Sequence, residues 1–251
     1  MIIGTGLIAR AFAPHADALA DACVYAAGVS NSSCSDPREF ERERQRMLGA
    51  TADSAADQLF LYFSTCSIED PAARDSGYVR HKVEMERLVA QRPRYLILRL
   101  PQLAGATPNP HTLLNYLYAR IVRSERFAIW SGARRNIIDV DDVARVVTDL
   151  VLAERACAET INVANTHNCS ILEIVEAFEV ELGHRAVFDI IERGAGYVIN
   201  SDRIRASLLR CGVSFSHDYL RRTIRKYYGH HDRIVNDPDV NDSARNGGGA
   251  T

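Results

Sequence analysis

A hydroxyl, a phenol and an amine near the middle of the chain form the group of residues most able to do chemistry. Thr65 follows the apolar run 59–63, and Tyr78 and Lys82 are separated by four positions. That spacing puts Tyr78 and Lys82 one turn apart on the same face of a helix. A tyrosine phenol has a pKa of about 10, and a nearby ammonium favours the phenolate and lowers that pKa. With Thr65 bonded to the same substrate oxygen, the three groups predict proton transfer to or from a carbonyl or an alcohol.

Tyr-x-x-x-Lys is a short pattern, and its alternative interpretation is a solvated helix face. The elements around the pair therefore decide its meaning. The run 59–63 predicts a buried strand that ends at Ser64 and Thr65, and 78–89 predicts a helix.

The N-terminal segment predicts a strand, a tight turn and a helix. A short apolar run leads into Gly4-Thr5-Gly6-Leu7-Ile8-Ala9, and a helical pattern covers 7–19. In such a turn the first glycine allows the bend, the second lets the backbone approach a pyrophosphate, and a small third residue packs the helix on the strand. The free N–H groups of a helix start then face the phosphates.

Strands and helices alternate along most of the chain. Strands are predicted at 23–29, which ends in Ala26, Ala27 and Gly28, and at 95–100, which Pro101 ends. This alternation predicts an α/β fold with a mainly parallel sheet covered by helices on both faces. Ligands bind such sheets at the carboxyl ends of the strands, where the Gly4 turn, Gly28, Thr65 and Pro101 all fall.

The other predicted elements depend on caps and periodicity. Asp36 and Pro37 begin a charged helix that runs to about 48, and Ser170 with Glu173 forms a capping box. The remaining predictions are a loop at 102–111, helices at 112–122, 141–153, 200–210 and 217–228, extended segments at 127–130, 135–140, 160–164 and 186–191, and a disordered tail at 229–251.

Composition excludes several classes of protein. The 251 residues are 47% hydrophobic and carry a formal charge of −2, so a sizeable core is possible and no basic field favours nucleic acid. The six cysteines include no Cys-x-x-Cys pair and predict reduced thiols. No basic leader and no apolar stretch of about 20 residues is present, which predicts a soluble, cytoplasmic protein without a membrane partner. His230-His231-Asp232 has no partners that would predict a metal site.

Several segments together resemble the short-chain dehydrogenase/reductase superfamily, and most closely its extended branch, the NAD-dependent epimerase/dehydratase family. The resemblance covers roughly residues 1–228 and is most specific at 135–144. The segments are Phe63-Ser64-Thr65, Tyr78 to Lys82 with Glu86, Arg99 to Gly105, Arg135 to Ala144, and Ile161 to Asn165 with Ser170-Ile171.

The resemblance implies a role for each matching residue. Tyr78 is the expected acid or base, Lys82 lowers its pKa and holds the nicotinamide ribose, and Thr65 binds the reacting oxygen. The implied cofactor is NAD or NADP, and the implied partners are a nucleotide-sugar substrate and, through the helix of Tyr78 and Lys82, a second copy of the chain. The expected cofactor-binding residues are Gly4, Thr5, Gly6, Leu7, Ile8, Ala26, Ala27, Gly28, Ser64, Tyr78, Lys82 and Pro101. The expected substrate residues are Thr65, Gln102, Asn115 and Arg135.

Some of these residues keep a second interpretation. Arg135 serves equally well in a surface salt bridge, Asn115 as an amide on a helix surface, and Trp130 as part of the core rather than as a platform for a base.

The chain also departs from the family pattern. Only about sixteen residues separate Ala9 from Ala26, which predicts a sheet without two strands of the usual N-terminal half and without the acidic residue that binds the adenosine ribose. Cys66 and Ser67 stand where the family's dehydratases carry Asp-Glu, which argues against dehydration. The expected domains are a Rossmann-like cofactor-binding domain at 1–165 with a substrate-loop excursion near 102–130, a small C-terminal substrate-binding lobe at 166–228, and the tail at 229–251.

The expected function is that of an NAD(P)-dependent reductase or epimerase acting on a nucleotide-linked sugar, with a keto-sugar reductase favoured because epimerisation also needs substrate rotation or a second base. The alternative is a nucleotide-binding regulatory or scaffold protein of the same fold with a decayed cofactor site. A hydrolase built on Cys66 lacks a His partner.

Overall fold

The computed structural model describes residues 1–229, which form eleven strands and eight α-helices. The strands are β1 (Ile2–Ile3), β2 (Ala22–Tyr25), β3 (Leu59–Thr65), β4 (Tyr95–Leu100), β5 (Gln102–Ala104), β6 (Phe127–Trp130), β7 (Arg134–Arg135), β8 (Ile137–Asp139), β9 (Glu159–Asn162), β10 (Cys169–Ser170) and β11 (Phe188–Ile191). The helices are α1 (Leu7–Phe12), α2 (Pro37–Asp53), α3 (Gly77–Val89), α4 (Leu113–Val122), α5 (Val140–Leu152), α6 (Ile171–Leu182), α7 (Arg205–Arg210) and α8 (Tyr219–Tyr228).

The central sheet is parallel and Rossmann-like, as the alternation of elements predicts. Its strand order is β1-β2-β3-β4-β9, and every neighbouring pair is parallel. In the usual doubly wound order, 3-2-1-4-5-6, the first strand is flanked on both sides. Within residues 1–229 the sheet instead ends at β1, which is only two residues long.

Both faces of the sheet are covered by helices. Phe12 of α1 and Val147 of α5 pack with Leu61 and Leu98 on one face. On the other face, apolar residues of α2 and α3 pack on β2 and β3, among them Met47, Met85 and Tyr62. All seven residues of β3 are buried, which is the expected pattern for a central strand of a parallel sheet.

A second apolar cluster lies apart from the sheet. It joins α4, β6, α6 and α8, with Leu117, Ile129, Phe178 and Tyr228 among its members. β11 pairs with β6 in a two-stranded parallel sheet. The division into domains at residue 165 stays a prediction.

Several predicted boundaries need correction. The helix predicted at 7–19 ends at Phe12, because Pro14 falls in the 3-10 turn Ala13–His15 that follows it. The segment 102–111 is not all loop, since β5 pairs with β8. The strand predicted at 23–29 ends at Tyr25, and the helix predicted from 36 to about 48 runs on to Asp53.

Local signals placed other elements correctly. Asp36 accepts a hydrogen bond from Arg38 N–H, Ser170 and Glu173 form the predicted capping box, and β4 has the predicted bounds. No helix in the described part of the chain is long and apolar enough to span a bilayer. The predicted tail, apart from Gly229, and the His230-His231-Asp232 segment lie outside the described residues.

Candidate active site

Helix α3 carries Tyr78 and Lys82 into the site from a firmly held position. The Ser76 hydroxyl caps the helix by accepting from Val79 N–H. Farther along α3, Glu86 accepts two hydrogen bonds from Arg99 of β4, at 2.9 and 2.7 Å. This bidentate pair fixes the helix against the sheet, so the first turn of α3 lies beside the carboxyl end of β3.

Tyr78, Lys82 and Thr65 come together as predicted from their positions in the chain. Tyr78 is 8% exposed, and the Lys82 Nζ lies 5.9 Å from the centre of its ring. Thr65 forms a side-chain hydrogen bond with Tyr78, and its hydroxyl also accepts from Ser67 N–H at 3.1 Å. The three side chains therefore form one group at the end of β3.

The pKa of Tyr78 differs from the expectation based on Lys82 alone. Burial raises the pKa of the phenol, and the Glu43 carboxylate raises it further. The Lys82 ammonium and the Thr65 hydrogen bond lower it, but the net result is a pKa above the ordinary value of 10.0. Burial therefore outweighs the effect of Lys82 and Thr65 on the pKa of this phenol.

A buried carboxylate that was not foreseen lies behind this group. Glu43 of α2 is 1% exposed and is 3.0 Å from the Lys82 Nζ. It also contacts Tyr62 and His81, both at 3.0 Å. Burial on its own would raise the pKa of Glu43, but Lys82 and the hydrogen bonds outweigh it and lower the pKa to about 2.

The signal for Glu43 is present in the sequence. It occupies the same helix face as Met47 and Ala50, which are four and seven positions further on and are buried. A charged residue on the apolar face of a helix needs a partner inside the protein. Lys82 is the basic side chain that provides it.

A single large cavity joins the predicted site residues. Its volume is about 1390 Å³, and it extends from the Gly4 turn to the Arg135 segment. The predicted residues in its wall are Gly4, Thr5, Gly6, Leu7, Ile8, Ala26, Ala27, Gly28, Ser64, Thr65, Tyr78, Lys82, Pro101, Gln102 and Arg135. Of the predicted set, Asn115 does not line this cavity.

Two glycines shape the wall where a cofactor would lie. Gly4 has a φ of 122°, and a Cβ there would stand 2.5 Å from the carbonyl oxygen of Ala26. Gly28 lies directly on the buried ion pair, because its Cβ would be 2.7 Å from the Lys82 Nζ and 2.8 Å from Glu43 Oε1. Gly4 therefore requires glycine, whereas a side chain at Gly28 would have to displace Lys82 and Glu43.

Asn115 has a supporting role. Its amide donates to the carbonyl oxygens of Thr107 and Asn109, and its own oxygen accepts from the hydroxyl of Tyr228 at 2.6 Å. It thus fastens the 107–109 segment, which lines the cavity. The amide is thus partly buried and bonded within the protein rather than free on the helix surface, and a substrate contact of Asn115 stays a prediction.

The far end of the cavity includes residues that the sequence did not single out. Asn136 is buried and bonds to Asn165 and Asn168, which holds the strand segment carrying Arg135. Tyr197 also lines this end, and burial is the main cause that raises its pKa to about 12. Asn136 belongs to the segment 135–144 that resembles the family, but it was not predicted as a site residue, and Tyr197 lies outside every segment that carried the resemblance.

The structure gives no support for a catalytic role of Cys66 or for a metal site in the described residues. Cys66 is fully buried, its thiol donates to the carbonyl oxygen of Arg99, and burial raises its pKa to about 12. Trp130 is 39% exposed and stacks with Arg193, so its interpretation as a core residue is wrong. Among residues 1–229 no group of three or more His, Cys, Asp or Glu side chains could hold a metal ion.

The hydrogen-bonding groups that line the cavity without partners fit a nicotinamide nucleotide. An ammonium has three N–H donors, and Lys82 uses one on Glu43 and one on Tyr62, with no third acceptor in the described part of the chain. The Ser64 hydroxyl is buried without a hydrogen-bond partner among residues 1–229. Above Gly6 there is open space. Polar groups without partners thus face a cavity bounded by a glycine turn.

Comparison with known proteins gives a family and a set of similar structures. The model of the NAD-dependent epimerase/dehydratase family matches residues 9–164, more than half of the chain. The match begins just after the Gly4–Gly6 turn. A search of curated proteins gives no match.

Similar solved structures include a UDP-glucuronic acid 4-epimerase from Bacillus cereus in complex with UDP-glucuronic acid and NAD, at 19% identity and a TM-score of 0.64, covering 82% of this chain and 73% of that one. RMD from Pseudomonas aeruginosa, complexed with NADPH, is similar at 18% identity and a TM-score of 0.65, covering 82% of this chain and 79% of that one. A UDP-glucose 4-epimerase from Stenotrophomonas maltophila with bound NAD and formylated UDP-arabinopyranose gives 20% identity, a TM-score of 0.61, and coverage of 86% and 77%. At these identities the likeness establishes the fold.

Proposed function

The chain belongs to the NAD-dependent epimerase/dehydratase family, and from this premise we propose that it is an NAD(P)-dependent reductase of a nucleotide-linked keto-sugar. The observation that carries the proposal is the meeting of Thr65, Tyr78 and Lys82 in one cavity with the Gly4–Gly6 turn. Proton-transfer groups and a phosphate-binding turn are the two halves that such a reaction needs. Similar structures with bound UDP-sugars support this class of substrate.

Each side chain has a distinct task in the proposed reaction. A nicotinamide cofactor supplies the hydride when bound. Tyr78 gives its phenolic proton to the carbonyl oxygen, on which negative charge develops as the carbonyl carbon is reduced, and then recovers a proton from solvent. Thr65 donates its hydroxyl hydrogen to the same oxygen and orients it. Lys82 has one N–H donor without an acceptor among residues 1–229, which can bond a ribose hydroxyl, and its charge stabilises the phenolate left on Tyr78.

We favour reduction over epimerisation because reduction needs one hydride delivery and one proton, which Tyr78 can supply. Epimerisation also needs the substrate to rotate or a second base. The isomerase function is the second candidate, because epimerases are among the similar structures. A homodimer through α3 stays a prediction.

The test begins with thermal unfolding in the presence of NAD⁺, NADH, NADP⁺ and NADPH, since a ligand that binds the native state raises the unfolding temperature. A panel of nucleotide-linked keto-sugars then follows. A reductase consumes one reduced nicotinamide per product, whereas an epimerase shows no net consumption. Stabilisation by a nicotinamide nucleotide and stoichiometric oxidation of it are the expected results.

Two variants test the assigned roles. Tyr78→Phe should lower kcat by roughly 10²–10⁴-fold and leave cofactor affinity within about twofold, because only the transferred proton is lost. Thr65→Val should also lower kcat, whereas Thr65→Ser should keep most of it because the hydroxyl remains. Turnover of Tyr78→Phe at the wild-type rate would show that the assignment is wrong.

A regulatory or scaffold protein is supported by one specific observation. β1 is two residues long and forms the edge of the described sheet, where other sheets of this type continue under the adenosine half of a dinucleotide. If none of the four nucleotides stabilises the protein at millimolar concentration, the regulatory or scaffold function replaces both the reductase and the epimerase.

A further inference from the structure

Glu43 is the most deeply buried charged residue of α2. Its side chain is 1% exposed, whereas Glu41, two positions earlier, faces solvent and, within residues 1–229, accepts a hydrogen bond from Gln45 alone. A buried carboxylate is costly unless every oxygen has a partner. Glu43 therefore has contacts that its exposed neighbour does not need.

Both carboxylate oxygens of Glu43 are fully used. Oε1 accepts from the Lys82 ammonium at 3.0 Å and from the Tyr62 hydroxyl at 3.0 Å. Oε2 accepts from Val29 N–H at 2.7 Å and lies 3.0 Å from His81 Nε2. One side chain thus joins β3, α3 and the loop that follows β2.

The same contacts determine where Lys82 can be. Its side chain is 3% exposed, and besides Glu43 it donates to the Tyr62 hydroxyl at 3.2 Å. The backbone of Gly28 covers the pair so closely that a Cβ there would stand under 3 Å from both charged atoms. Lys82 therefore has very little freedom to move, and the 26–29 loop rests on it.

We propose that Glu43 is a positioning residue, which fixes the Lys82 ammonium and the 26–29 loop in the arrangement that receives the nicotinamide ribose. The inference rests on the proposed function for the identity of the ligand. The contact between Glu43 and Lys82 stands apart from it. His81 supports the arrangement from the far side, because its ring contacts Oε2 of Glu43 and stacks on Phe40 at 4.6 Å.

Three variants distinguish the effect of the Glu43 charge, the effect of its side-chain length and the effect of any mutation in α2. Glu43→Gln keeps the shape and removes the charge. Glu43→Asp keeps the charge but is one methylene shorter, so it should hold Lys82 in part. Glu41→Gln is the matched control, because it makes the same chemical change on the exposed face of the same helix.

The chain offers a direct readout, since Lys82 and Lys226 are its only lysines. Acetic anhydride acetylates amines that are neutral and accessible, and peptide mass spectrometry then reports the two lysines separately. Lys226, whose side chain is 44% exposed, serves as an internal reference and as a check on unfolding. The experiment is run on folded protein, well below the unfolding temperature of each variant.

In Glu43→Gln we expect the acetylation rate of Lys82 to rise roughly tenfold or more, which equals about 1.4 kcal/mol of lost restraint, while the rate of Lys226 stays constant. Glu43→Asp should fall between wild type and Glu43→Gln, and Glu41→Gln should match wild type. The affinity for NADH or NADPH, measured by fluorescence titration on the same samples, should weaken about tenfold in Glu43→Gln and recover in part in Glu43→Asp.

The outcomes are distinguishable. An unchanged Lys82 rate in folded Glu43→Gln overturns the proposal, and so does a faster Lys82 with unchanged nucleotide affinity, since Glu43 would then be only structural. If wild type binds no nicotinamide nucleotide, the proposed function fails and with it the ribose role, whereas the acetylation rates still decide whether Glu43 holds Lys82.

Discussion

Breaking the buried pair between Glu43 and Lys82 should cost the protein a large and pH-dependent part of its stability. The perturbation is Glu43→Gln, which mimics the protonated form of the carboxyl group. The two side chains are 1% and 3% exposed, and their charged atoms are 3.0 Å apart. Removing one partner therefore leaves an ammonium buried without its counter-ion, which costs about 3–5 kcal/mol in comparable cases.

The pKa of Glu43 gives a second, independent figure. Its value is lowered from 4.5 to about 2. A carboxyl group with that difference between unfolded and folded chains contributes roughly 3 kcal/mol to folding. Because the folded value is the lower one, the contribution is complete above pH 4.5 and disappears as the pH falls towards 2. The two figures agree, so we expect Glu43→Gln to lower the free energy of unfolding by about 3 kcal/mol at pH 7.

The assay is urea unfolding followed by circular dichroism at several pH values between 3 and 7. The difference between wild type and Glu43→Gln should be largest at pH 7 and should shrink as the pH falls. Glu41→Gln should stay within about 0.5 kcal/mol of wild type throughout, as expected for an exposed site. Combining Glu43→Gln with Lys82→Met should cost less than the two single changes added together, by roughly 1–3 kcal/mol.

A difference of under 1 kcal/mol at pH 7 would refute the argument, as would a difference of equal size at pH 3 and pH 7. Additive costs in the double variant would show that the two charges do not interact across the 3.0 Å gap. Either result would show that the pairing with Lys82 does not lower the pKa of Glu43.

Two further predictions follow from the cavity wall and from the buried thiol. Gly28→Ala should destabilise the fold by about 1–3 kcal/mol and weaken nucleotide binding, because its Cβ meets charged atoms at under 3 Å. Gly49 lies in a helix with open space around it, so Gly49→Ala should stabilise the fold by about 0.5–1 kcal/mol. Equal effects of the two changes on urea unfolding would contradict this prediction. Cys66, buried and with a pKa raised to about 12, should react with iodoacetamide far more slowly than the partly exposed Cys34 at pH 8, and rapid alkylation of Cys66 in folded protein would show that its surroundings are open.

Local signals explain why much of the fold was predictable from the sequence. The caps at Asp36 and Ser170 satisfy backbone N–H groups within three residues, so they depend on nothing distant. β4 begins at Tyr95 and ends before Pro101 as predicted, because an apolar run and a proline mark both ends. The parallel sheet followed from the alternation of such elements.

Features set by distant contacts were not predictable in this way. β5 exists because Gln102–Ala104 pairs with Ile137–Asp139, some thirty-five residues away. The strand predicted to reach Val29 stops at Tyr25, and the Val29 N–H donates to the Glu43 carboxylate instead of joining a ladder. A pattern read over a few neighbouring residues includes neither β8, the partner of β5, nor Glu43, the partner of Val29.

In the candidate site, too, residues set by local patterns were predicted and a residue set by distant contacts was missed. Tyr78 and Lys82 could be paired from the helix spacing, which is local, whereas Thr65 was added because it ends the preceding strand and because these segments resemble the family. Glu43 was missed because α2 looks like a charged surface helix until the stripe of Met47 and Ala50 is placed against the sheet. The expected effect of Lys82 on Tyr78 was incomplete for that reason, since Glu43 also raises the pKa of Tyr78.

The pairing of Lys82 with Glu43 changes what can attract a dinucleotide to this site. The pair is neutral as a whole, so Lys82 acts as a local hydrogen-bond donor and adds little long-range field. The positive charges left in the cavity wall include Arg10 on α1 and Arg46 on α2, both of them exposed. Under the proposed function, attraction of the phosphates should depend on surface arginines, which salt screens, and placement of the reacting ribose on a buried pair, which salt screens much less. The two steps of binding would then depend on different parts of the site, the exposed arginines for the phosphates and the buried pair of Glu43 and Lys82 for the ribose.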